Sequence, residues 1–266
     1  MAKLTVADLV QMKQQGKKIT EALVFDVTMT RIFEQAGADV LLVGDSYVSY
    51  LLGGSTDDAS VEGMLLFATA VVRAALRAVI TVDIPGPVCE AGPAAVASAA
   101  QRYKQEAGAD LAKIDIPSAD DQLIEETRAV VRAGLGADVR VRFRPDRAKT
   151  WGLAAEHEHV MGLVKAAQDA GASLIEIYEG TPELYEQASH SLSIPVLGGR
   201  WSTADADGKI FVYPNLVGYR ADLVETAGST AKFIYDQVAP YLSEVHSGAW
   251  ETADKALYPQ NRSFPA

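Results

Sequence analysis

The chain is poor in cysteine: among 266 residues there is one, Cys89. A lone thiol excludes an intrachain disulfide and any zinc cage built from several thiolates. Positive charge is scarce as well, with 24 Lys and Arg against 35 Asp and Glu, a formal charge of −11 and a pI near 4.8. Such a balance disfavours nucleic acid or an anionic membrane as a partner held by bulk electrostatics, so any anion must be bound by local basic groups. No stretch approaches the roughly eighteen apolar residues of a membrane span, and Met1-Ala2-Lys3-Leu4 lacks the apolar core of a secretion signal, so a cytoplasmic protein is expected. No Gly-x-Gly-x-x-Gly opens a helix after the first apolar run, which counts against a dinucleotide-binding open sheet.

What is abundant is apolar sequence, 48% of residues, enough for one large α/β core. Thr5-Val6-Ala7-Asp8 reads as a capping box opening a short helix that Gly16 closes. The phrase Ala-Gly-Ala then recurs at 36–38, 107–109 and 170–172, each time ending a helical segment just before an apolar run. That is the helix, glycine turn, strand cadence of βα repeats. Strands are predicted at 19–25, 40–43, 79–82, 111–114, 139–143, 174–177, 194–197 and 209–212. Eight strands alternating with helices predict a (β/α)8 TIM barrel occupying 1–266 as one domain, with an N-terminal helix within 1–18 and a helical tail from 243 to 266.

Acidic residues sit at the ends of these runs: Asp26, Asp45, Asp83, Asp115 and Glu179. An Asp after a strand is often only a turn former or helix cap. In a closed barrel, however, the strand ends converge on the face where barrel enzymes do their chemistry, and carboxylates crowded there call for a divalent cation or a retained proton. Gly44-Asp45-Ser46 combines close backbone approach, a hard oxygen ligand and a hydroxyl, and Asp83 comes from the next strand. Two carboxylates plus water and a chelating substrate suit Mg2+, with Mn2+ as a substitute, and Asp115 is a third ligand candidate. Lys113 lies inside an apolar strand and needs an anion, whether Asp115, a metal-site carboxylate or a substrate oxygen. Glu179 and Glu176 compete as general base. Arg140, Arg142 and Arg144 alternate along the fifth strand with Arg147 beyond, and Arg142 or Arg144 is expected to reach the mouth and grip carboxylate or phosphate. Glu156-His157-Glu158-His159 falls at a helix start and is expected to be a solvated face, not a metal tract.

Order and spacing over nearly the whole chain resemble the ketopantoate hydroxymethyltransferase family, within the phosphoenolpyruvate mutase and isocitrate lyase superfamily. The segments concerned include Arg31-Ile32-Phe33-Glu34-Gln35-Ala36-Gly37, Leu41-Leu42-Val43-Gly44-Asp45-Ser46, Val82-Asp83-Ile84-Pro85, Ala112-Lys113-Ile114-Asp115 and Glu179-Gly180-Thr181-Pro182-Glu183-Leu184. The resemblance implies Mg2+ on Asp45 and Asp83, a 2-oxo acid held by Ser46 and Lys113, and Glu179, not Glu176, as the base that takes a proton from the carbon next to the ketone. It also implies methylenetetrahydrofolate as co-substrate and assembly as a homo-oligomer, for which the aromatic tail around Trp250 and Phe264 offers surface.

Several segments depart from the family pattern. Asp115-Ile116-Pro117 replaces a glutamate and two glycines, Arg142 falls where a histidine is expected, and the fifth-strand loop is the shorter Arg144-Pro145-Asp146-Arg147-Ala148-Lys149-Thr150-Trp151. Gly198-Gly199-Arg200-Trp201 stands in place of a small glycine-rich turn. The metal and enolisation half is kept and the folate half rebuilt, so a changed substrate or electrophile is expected. The alternatives are lyase, mutase or hydrolase chemistry on a carboxylate or phosphonate, and a non-catalytic metabolite-binding barrel.

Overall fold

The computed structural model describes residues 2–114, 120–199 and 202–248. Eight parallel strands close into a barrel in sequence order: β1 Ile19–Leu23, β2 Val40–Val43, β3 Val79–Ile84, β4 Leu111–Ile114, β5 Gly136–Arg142, β6 Ala172–Tyr178, β7 Val196–Gly198 and β8 Gly208–Val212. The helices are α1 Val6–Gln14, α2 Val27–Gln35, α3 Val61–Ala74, α4 Gly86–Glu90, α5 Pro93–Arg102, α6 Asp120–Arg132, α7 Pro145–Trp151, α8 Leu153–Asp169, α9 Pro182–Ser191, α10 Tyr213–Leu216 and α11 Thr230–Ser247. The TIM barrel expected from the repeat cadence is the fold observed. Gly37, Gly108 and Gly171 of the three Ala-Gly-Ala turns all take positive φ, which lets each helix stop and the next strand begin almost at once.

The chain divides into two compact units, Met1–Phe211 and Val212–Ala266. In the first unit, Thr5 and Asp8 form the expected capping box at the start of α1. This helix places Leu9 against Ile19, Val40, Val79, Leu111, Leu174 and Leu197, all fully buried, so the bottom of the barrel is apolar. Asp207 ties that end together: its carboxylate accepts from Lys13 Nζ at 2.7 Å, Ser189 Oγ at 2.6 Å and Val196 N at 2.8 Å. At the seam, a Cβ on Gly208 would lie 2.0 Å from the Ile19 carbonyl oxygen, so no larger residue lets β8 approach β1 this closely.

The second unit contains α10, a short 3-10 turn at Ala221–Leu223 and α11, whose N-cap Ser229 accepts from Lys232 N at 3.0 Å. Trp250 and Phe264, the tail residues expected to bury at a subunit interface, lie outside the described residues. Among the described residues no helix is long and apolar enough to cross a membrane.

Candidate active site

Side chains alternate along a strand, so the residues two places above the floor also point into the barrel. There the character changes abruptly. Above Ile19, Val79, Leu111 and Leu174 come Glu21, Thr81, Lys113 and Glu176, joined by Asp138 of β5, and all five are fully buried. Lys113 Nζ lies 3.1 Å from Glu21 Oε1 and 2.7 Å from Glu176 Oε2, and the same Glu176 oxygen accepts from Arg140 Nε at 2.9 Å. Thr81 donates its hydroxyl to Asp138 Oδ2 at 3.0 Å.

Buried charge must be matched or given up. Burial opposes the charge on Lys113, but Glu176 and Glu21 outweigh it and hold the amine well above its ordinary pKa. Burial also opposes ionisation of Glu176, yet Arg140 and Lys113 together bring its pKa down to about 2. Glu21 and Asp138 are pushed the other way, chiefly by burial. One oxygen on each of Glu21, Asp138 and Glu176 has no hydrogen-bond partner among the described residues.

Above this layer the strands open into the mouth. Asp83, next to last in β3, accepts from the Asp45 amide on its Oδ2 at 3.0 Å, and the two side chains belong to residues only 3% and 9% exposed. Gly44 makes this closeness possible, since a Cβ there would meet Leu23 Cδ1 at 2.5 Å and Asp83 Oδ2 at 3.3 Å. Ser46 follows half-buried in the same turn. Tyr103, inside the chain of the fifth helix's continuation, donates its hydroxyl to the Asp83 carbonyl at 3.1 Å. Burial, with the Asp83 charge second, keeps that phenol protonated well above its usual range and so a firm donor. Two adjacent, largely enclosed carboxylates on a bare glycine backbone suit a hard divalent cation that keeps water ligands, and they are the residues here that would hold one. Among the described residues no group of three or more His, Cys, Asp or Glu side chains is arranged to hold a metal ion, and Asp115 lies outside them.

Across the mouth, Glu179 follows the last residue of β6 and is the one non-glycine residue with positive φ, 62°, among those described. A backbone state of this kind is costly and must be held by its surroundings. Tyr185 holds it: the hydroxyl accepts from Gly180 N at 3.1 Å and donates to the Ile177 carbonyl at 3.0 Å, bridging the turn on both sides of Glu179. Glu176, its rival as base, is sequestered below with Lys113 and Arg140.

The arginines divide. Arg140 and Arg142 flank the Tyr178 ring, their guanidinium carbons 5.2 and 5.5 Å from its centroid. β5 ends at Arg142, so Arg144 leaves the strand alternation and becomes the N-cap of α7. With Arg142 and Arg147 it lines a cavity of about 140 Å3 floored by Leu123, Val141 and Leu163. Arg147 is held by Glu156, Nη2 to Oε1 at 2.9 Å with a second short contact from Nε to Oε2. The helix start at Glu156 therefore differs from the solvated face expected: Glu156 is fully buried, accepts the Arg144 amide at 2.8 Å and anchors the fifth-strand loop. The adjoining His157 Nε2 lies 3.0 Å from Thr181 Oγ1. Arg200 lies outside the described residues.

Glu21, Asp138, Tyr103, Tyr178 and Tyr185 were not among the residues predicted for the site. Glu21 and Asp138 carried a readable signal, since each is an acid within an apolar run at the parity of the inward residues. The tyrosines carried none, because Tyr103 and Tyr185 bond backbone atoms, and Tyr178 meets arginine side chains, at places fixed only by the fold.

Comparison with known proteins places this geometry in context. The model of the family described as ketopantoate hydroxymethyltransferase matches residues 3–253. A 3-methyl-2-oxobutanoate hydroxymethyltransferase of Hyperthermus butylicus is 32% identical over 261 residues, covering 92% of this chain and 88% of its own. The enzyme of that name from Trichlorobacter lovleyi is 29% identical over 264 residues, covering 96% and 98%. Among solved structures, a 2,3-dimethylmalate lyase superposes with a TM-score of 0.64 at 20% identity, covering 84% of this chain and 86% of its own. A phosphonopyruvate hydrolase in complex with oxalate and Mg2+ gives a TM-score of 0.62 at 15% identity, covering 96% and 99%. At these identities the solved structures establish a common fold.

Proposed function

The chain belongs to the ketopantoate hydroxymethyltransferase family and is an enzyme that makes or breaks a carbon–carbon bond, and within that class we propose a Mg2+-dependent cytoplasmic enzyme that enolises a 2-oxo acid. The observation that carries this reading is the Asp45–Asp83 pair in the barrel mouth, where the Asp45 backbone amide donates to Asp83 Oδ2 at 3.0 Å. Asp45 and Asp83 hold the cation, with Asp115 the candidate third ligand and Ser46 beside them contacting the oxo acid. Mg2+, when bound, supplies Lewis acidity where negative charge develops on the substrate. Glu179, aimed by its strained backbone and braced by Tyr185, takes the proton from the carbon next to the ketone. Lys113 lies beneath with no exposed surface and contributes its charge from below.

The test is deuterium exchange at the carbon next to the ketone across a panel of 2-oxo acids with Mg2+ or Mn2+. It is run beside a ketopantoate assay with 3-methyl-2-oxobutanoate and methylenetetrahydrofolate. Exchange lost on Glu179→Gln supports the reading, and no exchange with any acid defeats it.

A second reading is favoured by Arg142, which stands over Tyr178 where the family resemblance expects histidine. In that reading the substrate carries a second anionic group and the bond is cleaved, as the name of the 2,3-dimethylmalate lyase suggests for that protein. Exchange without ketopantoate formation favours it, and efficient ketopantoate synthesis rejects it. The enzyme acts as a homo-oligomer, a proposal supported by α11, whose Phe233, Ile234, Val238, Leu242 and Val245 are more apolar surface than one helix can bury by itself. A monomeric mass in light scattering would reject it.

A further inference from the structure

We propose that the cavity on the outer flank of β5 binds a small oxyanion, a phosphoryl group or a carboxylate, at a site separate from the barrel mouth and held by Arg142, Arg144 and Arg147. Val141 has the strand parity opposite to that of Asp138, which belongs to the buried layer inside the barrel, so Val141 points toward the helices. The cavity it floors with Leu123 of α6 and Leu163 of α8 therefore lies between β5 and those helices. Its volume is about 140 Å3, well below the roughly 300–1,000 Å3 of a pocket that encloses a whole ligand. A single charged group suits that size.

The positive wall is built in place. Arg147 gives Nε and Nη2 to the fully buried Glu156 and lies over the Trp151 ring, its guanidinium carbon 4.9 Å from the centroid, which fixes the plane of the fork. That pairing does not use Nη1. Glu156 is held in turn by the Arg144 amide at 2.8 Å, so the start of α7 brings Arg144 and Arg147 to one space. Among the described residues neither Arg142 nor Arg144 has a carboxylate within ion-pair distance, and both residues are exposed, so neither must give up an acid to meet an anion. Asp120 also lines the cavity, but its Oδ2 lies 3.0 Å from His159 Nε2. Three guanidiniums against the carboxylates of Glu156 and Asp120 leave the wall net positive, in a chain whose formal charge is −11. The bulk charge repels anions, so a local excess of guanidinium is what holding one here requires. Guanidinium forks offer paired donors that match phosphate or carboxylate oxygens.

The experiment is calorimetric titration of the metal-free full chain at low salt with inorganic phosphate and, separately, with acetate. Phosphate should bind, and Arg144→Gln should weaken it roughly 10-fold, the lower end of the loss of a charged hydrogen bond. Arg144→Glu should abolish it. Arg128→Gln, which removes an arginine of α6 that does not line the cavity, should leave it unchanged. Asp83→Asn, which takes a negative charge from the mouth, should leave it unchanged as well. Acetate bound through the same arginines assigns the site to a carboxylate, and phosphate bound without acetate assigns it to a phosphoryl group. Neither anion bound at tens of millimolar, phosphate weakened as much by Arg128→Gln as by Arg144→Gln, or phosphate strengthened by Asp83→Asn overturns the proposal. No arm uses Mg2+ or an oxo acid, so failure here leaves the reading of the mouth standing, and failure of exchange in the mouth leaves this proposal standing.

Discussion

The floor of the barrel and the layer above it are built on the same strands, two residues apart, and solve opposite problems. The floor is an apolar plug in which Leu9 meets six strand residues and shape alone matters. The layer above is Glu21, Thr81, Lys113, Asp138 and Glu176, equally closed to water, in which every charge needs a partner. Burial by itself does not set the state of such a group. Glu176 beside two cations has a pKa of about 2, whereas Glu126 on α6, equally buried and supported by one hydrogen bond from Gln122, is raised by burial to about 7. Partners decide which carboxyls stay charged.

The contrast can be broken most forcefully at the mouth. Asp83→Asn should lower Mg2+-dependent exchange about 1,000-fold or more, the loss expected when several kcal/mol of metal stabilisation disappear, while the melting temperature moves little. A large drop in melting temperature with exchange preserved would make Asp83 a structural residue.

Next in size is Lys113→Leu, which leaves Glu21 and Glu176 facing each other and should cost about 3–5 kcal/mol in urea unfolding. Adding Glu21→Leu should restore most of that loss. If the pair is as unstable as the single variant, the layer is held by shape like the floor and the contrast collapses.

Leu174→Ala in the floor should cost about 3 kcal/mol through the cavity it leaves, and no second polar change should rescue it. Equal loss at pH 5 and pH 8 would mark it as a packing effect.

Glu126→Gln sharpens the comparison through pH. The folded pKa of Glu126 lies above its unfolded value, so its stabilising contribution is complete below about pH 4.5 and is lost as pH rises through about 7. The variant should therefore match the parent near pH 4 and exceed it in stability at pH 8. Glu176, with its pKa depressed, behaves oppositely: its contribution is present above about pH 4.5 and lost as pH falls toward 2. An Glu126→Gln advantage that is flat with pH would mean the native carboxyl is not raised.

The smallest effect belongs to Asp138→Asn. Burial biases Asp138 toward its neutral form and Thr81 bonds its Oδ2, so an amide should be accepted within about 1 kcal/mol. A loss comparable with that of Lys113→Leu would show that Asp138 is charged in the fold.

Much of this architecture was legible in the sequence because it depends on local pattern. Capping at Thr5 and Asp8, positive φ in the Ala-Gly-Ala turns and eight apolar runs are properties of neighbours along the chain. The same holds for Asp45 and Asp83, which stand at equivalent ends of consecutive strands and so had to converge once the barrel closed. The fifth-strand arginines were legible as a group but not as individuals. Where β5 ends leaves Arg140 and Arg142 against the Tyr178 ring and Arg144 at the helix cap, and Arg147 goes to Glu156, a residue whose burial nothing in its charged neighbourhood announced.

The order of strands and helices, the positions of the turns and the face on which the acids gather were determined by the sequence itself, since each follows from hydrophobic period and backbone preference over a few residues. Tertiary structure alone decided the partners: that Lys113 is enclosed by Glu21 from 92 positions away, that Tyr103 and Tyr185 brace backbone at Asp83 and Glu179, and that Glu176 lies beneath the mouth. Those outcomes depend on barrel closure and strand register, which bring distant residues within 3 Å or so of one another. At that range, out of water, a single partner outweighs any local preference.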